Sequence, residues 1–264
     1  MGKLIMVASL KGGVGKTTLT ASLASKLSDA GFKTLAVDMD FGIRSLDIAL
    51  GHENTAGPDA YDVITGKVSL PVAAIQNPHH ENLFFLSAPM RVDPQSEGFY
   101  LPQNLMDAFL KEAKRCYDFV FLDMSAGSGT LLTKVLRSGL VTTSLVVCTH
   151  NTASIRATEK LASSLFEAGI EDIRLVINSF LTFRAQHDEG EGVVDIINRS
   201  SVSLLGVIPY DAGVEALVSR GVPLTSEKNS LAGQACSNIA KRLLGENVPL
   251  FKGVLPKKSR LKLY

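Results

Sequence analysis

Short apolar runs alternate along this chain with stretches whose apolar residues fall three and four positions apart. The runs are Leu4–Ser9, Thr34–Val37, Leu83–Leu86, Phe119–Leu122, Ser144–Cys148, Arg174–Ile177 and Leu204–Ile208, all rich in Val, Ile, Leu and Phe. Such near-continuous runs read as strands buried on both faces, as in a parallel sheet. Between them, Leu19, Leu23 and Leu27, then Leu101, Leu105, Ala108 and Phe109, then Thr158, Leu161, Ala162 and Leu165 predict helices packing one face on the sheet. Near the end, Leu231, Ala235, Ile239 and Leu243 recur every four residues, and Gly245 stands where a C-cap glycine stops a helix. Strand and helix alternating over the whole length imply right-handed crossovers and an α/β fold, a doubly wound, mostly parallel sheet with helices on both faces. No linker or internal repeat divides it, so residues 1–245 are expected to form a single domain followed by a tail, 246–264. Three stretches read as loops: Glu53–Pro58 and Met90–Gly98, which between them carry Gly, Pro, Asn and Asp, and Arg184–Gly192, polar and rich in acids and glycine, as a mobile excursion.

Composition narrows the class. With 264 residues, 45% hydrophobic and 20% charged, the chain can bury a sizeable core and is not of the disordered type. Its longest apolar runs, such as Leu4–Ala8 and Leu204–Pro209, fall far short of the roughly 18–20 residues that span a bilayer. No charged, apolar and cleavable leader fits ahead of residue 10, which points to the cytosol. Cys116, Cys148 and Cys236 are odd in number, widely spaced and set in apolar segments, so they read as core thiols. The five histidines show no zinc-binding spacing. The net charge of +1 hides an asymmetry: residues 252–264 carry five Lys or Arg and no acid, leaving the body at −4. A mildly acidic body argues against a nucleic-acid coat.

The strongest chemical signal is Lys11-Gly12-Gly13-Val14-Gly15-Lys16-Thr17-Thr18, directly after the first strand and before the first helix. Glycines let the backbone turn its N–H groups around an anion, and the helix N-terminus adds partial positive charge. Lys16 is placed to reach the β and γ phosphates of ATP, and the Thr17 hydroxyl to complete a Mg²⁺ shell. The strict pattern has a glycine where Leu10 stands. In its place Lys11 adds a second cation at the loop mouth, either a solvated charge or one that reaches a nucleotide held by a second subunit. Asp38 and Asp40 end one strand and Asp123 another, where carboxylates hold Mg²⁺ or align water; the plain alternative is ordinary strand-end acids.

The loop resembles the deviant Walker A motif of the MinD/ParA ATPases. The segment Val37-Asp38-Met39-Asp40-Phe41-Gly42-Ile43-Arg44-Ser45-Leu46-Asp47 resembles switch I of that family's MinD branch. The likeness resumes at Leu205-Gly206-Val207-Ile208-Pro209 and at Ala232–Ala235 with Arg242–Glu246. It implies a P-loop NTPase fold and a slow, Mg²⁺-dependent ATPase that forms a homodimer on ATP and lies peripherally on the inner face of the cell membrane, in division-site placement. By resemblance, Asp40 takes the attacking water, Asp38 the metal side and Asp123 the Walker B role. Lys11 crosses the dimer, and Asn178, Pro209 and Asp211 hold the adenine.

The sequence departs from the family at Ser125–Gly129, which lacks a proline and an acid after the Walker B aspartate. It departs again at His150–Ser154, which lacks a Pro-Glu pair. By resemblance the second region meets regulatory proteins, which implies partners of the MinC/MinE kind. The tail Pro256–Tyr264 offers four basic residues, each worth about 1 kcal/mol near an anionic leaflet. Leu261, Leu263 and Tyr264 gather on no clean helical face, and two copies in a dimer would compensate through avidity. Competing classes are a DNA-positioning ATPase of the ParA kind, a flagellar-number regulator, and a metal-cluster carrier. The first calls for a basic body, the second for an N-terminal extension, and the third for paired cysteines.

Overall fold

The computed structural model describes residues 1–53, 56–182 and 192–250. The basic segment 251–264 and most of the polar excursion 184–192 lie outside the described residues. Eight strands form one sheet: β1 (Lys3–Ser9), β2 (Thr34–Met39), β3 (Ile75–Gln76), β4 (Leu83–Leu86), β5 (Phe119–Ala126), β6 (Thr143–Thr149), β7 (Ile173–Phe180) and β8 (Ser203–Pro209). Their order is β3-β4-β2-β5-β1-β6-β7-β8. Every pairing is parallel except that of β3 with β4, which is antiparallel.

Burial on both faces explains why β1 reads as an unbroken apolar run. Leu4, Met6 and Ala8 enter one hydrophobic cluster and Ile5 and Val7 the other, as the two-residue period of a strand requires. On the first face lie α3 (Ala60–Ile64), α5 (Gln103–Cys116), α6 (Thr130–Arg137) and the Leu161 and Leu165 side of α7 (Thr152–Glu167). On the second lie α1 (Lys16–Asp29), α2 (Leu46–Ala49), α9 (Val214–Ser219) and α10 (Leu231–Leu243). The short α4 (Leu70–Ala73) leads into β3, and α8 (Val193–Ser200) packs with the other side of α7 in a third cluster under β7.

All seven expected strands are present, several a residue or more longer. The edge strand β3 is too short to signal itself in the sequence. Two helix faces differ from their expected registers. In α5 the buried residues are Met106, Phe109, Leu110 and Ala113, whereas Ala108 is exposed. In α10 the stripe runs through Ala232, Ala235, Cys236, Ile239 and Ala240, and Leu231 is half exposed at the first turn. Small residues let α10 lie close on β8: a Cβ on Gly206 would come within 2.4 Å of Ile239 Cγ1. Gly245 follows α10 with φ +87°, the left-handed geometry of a helix-ending glycine. Cys148 and Cys236 are buried, and Cys116 is partly so.

Candidate nucleotide site

The carboxyl ends of β1, β2, β5, β7 and β8 meet on one edge of the sheet, and the residues singled out from the sequence collect there. After β1 the chain turns sharply, because Gly13 (φ +71°) and Gly15 (φ +92°) take left-handed conformations that L side chains rarely adopt. Gly15 is also the N-cap of α1. Ser9 locks the base of the loop: its Oγ donates to the Lys11 carbonyl at 2.8 Å and accepts from the Lys11 N–H at 3.0 Å. The loop thus presents the N-terminal amides of α1, a ready anion site.

Lys16 follows, and only 8% of it is exposed. Burial lowers its pKa, while Asp123 and then Asp40 pull it back up. Asp40, at the end of β2, is pushed up by burial and held down by Lys16. Asp38 and Asp123 sit opposite each other in the register of β2 with β5, and both are sealed from solvent. Burial is the main cause raising both pKa values, and the Asp38 charge raises Asp123 further.

The two carboxylates are engaged differently. Asp38 Oδ1 accepts from the Asp40 N–H, and Oδ2 accepts from Ser45 and Leu46, each at 2.9 Å. Three of its roughly four acceptor positions therefore pin the loop between β2 and α2. Asp123 Oδ1 accepts from the Thr20 hydroxyl at 3.2 Å, whereas its buried Oδ2 has no hydrogen-bond partner among the described residues. Thr17 Oγ1 lies 3.4 Å from Ser45 Oγ, linking the loop helix to the β2–α2 segment. An unpartnered buried carboxylate oxygen beside a threonine hydroxyl is a donor set suited to a hard divalent cation.

Beside the loop opens a cleft of about 250 Å³ lined by Gly13, Gly15, Thr18, Asn178, Pro209 and Asp211. Asn178 Nδ2 donates to the Val14 carbonyl at 2.8 Å, so β7 braces the loop directly. A Cβ on Gly15 would come within 2.2 Å of that nitrogen. Asp211 is anchored locally, accepting from the Gly213 N–H, from Ser230 Oγ at 2.7 Å and from the Ala232 N–H. The Ser230 bond is the main cause holding its pKa low. Lys11 Nζ donates within its own chain to Asn151 Oδ1 at 3.2 Å, the same oxygen that caps α7 at the Ser154 N–H.

The structure thus brings Lys16, Thr17, Asp38, Asp40 and Asp123 to the phosphate end and Asn178, Pro209 and Asp211 to the cleft. Sequence reasoning passed over Ser9, Thr20, Ser45 and Asn151. Thr20 carried a usable signal, lying one helical turn past Lys16 on the face of α1 toward β5. The other three had none, since each acts through a contact set by the fold.

The family described as the CobQ/CobB/MinD/ParA nucleotide binding domain matches residues 5–224. A putative septum site-determining protein MinD of Guillardia theta is 32% identical over 249 residues, 94% of this chain and 90% of its own. Among solved structures, the MinC:MinD cell division protein complex of Aquifex aeolicus matches with a TM-score of 0.86 at 27% identity, covering 95% of this chain and 99% of that chain. The septum site-determining protein MinD of Pyrococcus horikoshii OT3, complexed with Mg-ADP, matches with a TM-score of 0.78 at 26% identity, covering 92% and 96%. The match runs from β1 to the turn at Leu224 and so spans both the glycine loop and the cleft beside it; the chain belongs to the CobQ/CobB/MinD/ParA family of nucleotide-binding ATPases.

Proposed function

We propose that this protein is an ATP-driven switch of the MinD kind. It binds and hydrolyses ATP with Mg²⁺, pairs as a homodimer on ATP, docks on the anionic inner face of the cell membrane, and acts in placing the division site. The observation that carries the reading is the buried, unpartnered Oδ2 of Asp123 between Lys16 and Asp38, beneath a loop that offers amides to phosphate.

The residues divide the work. The loop from Gly12 to Thr18 cradles the phosphates with its amides. Lys16, poorly solvated and so strongly felt, stands where charge develops on the transferred group. Thr17 and Asp123 hold the divalent ion, with Asp38 behind them stiffening the β2–α2 segment through its three backbone bonds. The ion supplies charge neutralisation at the phosphate oxygens. Asp40 orients the attacking water, and Asn178, Pro209 and Asp211 receive the adenine. Lys11 leaves Asn151 and reaches the phosphates held by the second subunit.

On this reading residues 1–245 are one ATPase domain and 246–264 a basic tail that contacts lipid. No helix among the described residues is long and apolar enough to cross a membrane. Regulatory proteins of the MinC/MinE kind are the proposed partners. The test is sedimentation with phosphatidylglycerol vesicles in ATP and in ADP, beside a chain ending at Gly253. ATP-dependent pelleting lost with the tail supports the switch. Equal behaviour in both nucleotides rejects the membrane role and directs the search to DNA or a protein cargo.

A further inference from the structure

The opposite pole of the sheet, where the strands begin, holds a cavity of about 660 Å³, more than twice the cleft beside the phosphate loop. Lys3 at the start of β1, Lys33 just before β2, and Lys114 and Arg115 at the end of α5 line it. Its acid is Asp118, whose Oδ2 already accepts from the Lys33 N–H at 2.9 Å. Among the described residues no carboxylate lies within salt-bridge distance of any of the four cations.

Aromatic faces take the place of counter-ions. Lys33 Nζ lies 4.9 Å from the Tyr117 ring centroid and 5.5 Å from that of Phe84, and Lys3 Nζ lies 5.8 Å from that of Phe119. Lys114 is more deeply set: its ammonium donates to the Leu140 carbonyl at 2.8 Å, and burial lowers its pKa. The C-terminus of α5 accounts for Lys114 and Arg115, since cations favour that end of a helix dipole. It does not account for Lys3 and Lys33, which arrive from two other elements and converge on the same hollow. Four cations around one cavity against the single lining carboxylate of Asp118 leave an excess of positive charge, which a further anion seated among them would offset.

We propose that this cavity is a second anion site, for a phosphate-bearing group, distinct from the nucleotide cleft and at the opposite edge of the sheet. Inorganic phosphate and a phospholipid headgroup share the chemistry that Lys3 and Lys33 would recognise. Leu244, at the end of α10, borders the cavity, so the site lies where the chain enters its basic tail.

The test is amide NMR of the full chain in saturating Mg-ADP, titrated separately with inorganic phosphate and with dissolved short-chain phosphatidylglycerol. Saturable shifts at Gly2, Lys33 and Asp118, at least tenfold weaker in Lys3→Gln/Lys33→Gln and retained in Lys3→Arg/Lys33→Arg, are expected for at least one probe. Saturation by phosphate identifies a soluble ligand, and saturation by the lipid alone identifies a headgroup. Shifts that never saturate with either probe, or that persist unchanged in the glutamine variant, overturn the proposal. Because resonances of the glycine loop report separately, failure of the nucleotide reading would be seen as such and would leave this result standing.

Discussion

Gly15 is held to glycine twice over, and the two constraints can be separated. Its φ of +92° would cost an alanine about 1–2 kcal/mol in the left-handed region. Its Cβ would also fall 2.2 Å from Asn178 Nδ2. The amide must swing away and surrender its 2.8 Å bond to the Val14 carbonyl, worth about 0.5–1.5 kcal/mol net. Gly15→Ala should therefore destabilise the fold by about 2–3 kcal/mol, and Asn178→Ala alone by about 1 kcal/mol. In the double variant the amide that clashes is already gone, so only the backbone cost is added. The total should then fall short of the sum of the singles by about 1 kcal/mol. Urea unfolding of the four proteins, read as midpoints at constant slope, measures the cycle. Strict additivity would refute the argument, because it would mean that Asn178 does not press on the loop at Gly15.

Gly206→Ala should destabilise by about 1–3 kcal/mol through overpacking against Ile239. In an Ile239→Ala background the same change should be neutral or stabilising, because the new methyl enters space the isoleucine vacated; thermal melts of the four proteins decide. Burial pushes Cys148 and Cys236 up to about 12, so with a thiol reagent at about pH 8.5 the folded protein should release the signal of Cys116 alone. Denaturant should expose all three, and rapid reaction of two or more thiols in the native protein contradicts the packing described for α10 and β6.

The sheet was legible because burial on both faces leaves an apolar run that needs no partner to be recognised. Leu4–Ala8 feeds both main clusters for that reason, whereas the two residues of β3 carry no pattern. Helix faces were read less well. Ala108 fitted a three-residue step from Leu105 and Leu231 a four-residue repeat, yet alanine and leucine occur on exposed turns as readily as in a core, and only packing against the sheet sets the rotation. The phosphate loop could be read outright, since its glycines, lysine and threonines are consecutive. The occupancy of the carboxylates could not. Asp38, Asp40 and Asp123 look alike as strand-end acids, but Asp38 is tied to three backbone amides while Asp123 keeps an oxygen free. That difference depends on where Ser45 and Leu46 return after the turn, a long-range outcome with no local signature. Likewise Asp211 was marked for the cleft, and the structure adds that it anchors the starts of α9 and α10.

The unequal treatment of Asp38 and Asp123 has an energetic consequence that can be measured. Two buried carboxylates opposite each other on neighbouring strands oppose folding whenever both are ionised, and Lys16 offsets this only in part. For an acid whose folded pKa is raised, protonation favours the native state, so stability is lost as pH climbs from the unfolded value of 3.8 toward the raised one. Asp123→Asn removes one charge of the pair. Without nucleotide it should be more stable than the parent at pH 8, by about 1.4 kcal/mol for each unit of displacement relieved. The advantage should shrink toward pH 4, where Asp123 is protonated in the folded state and already close to half protonated in the unfolded chain. In Mg-ADP that advantage should narrow. The parent should gain about 2.7 kcal/mol at a hundredfold excess over its dissociation constant, and the variant, having lost its anionic oxygen, should gain less at the same concentration. Urea unfolding at the two pH values, with and without Mg-ADP, provides the comparison. A variant less stable than the parent at pH 8 without nucleotide would show that Asp123 serves the fold rather than a ligand, and the case for it as the residue that receives the cation would fail.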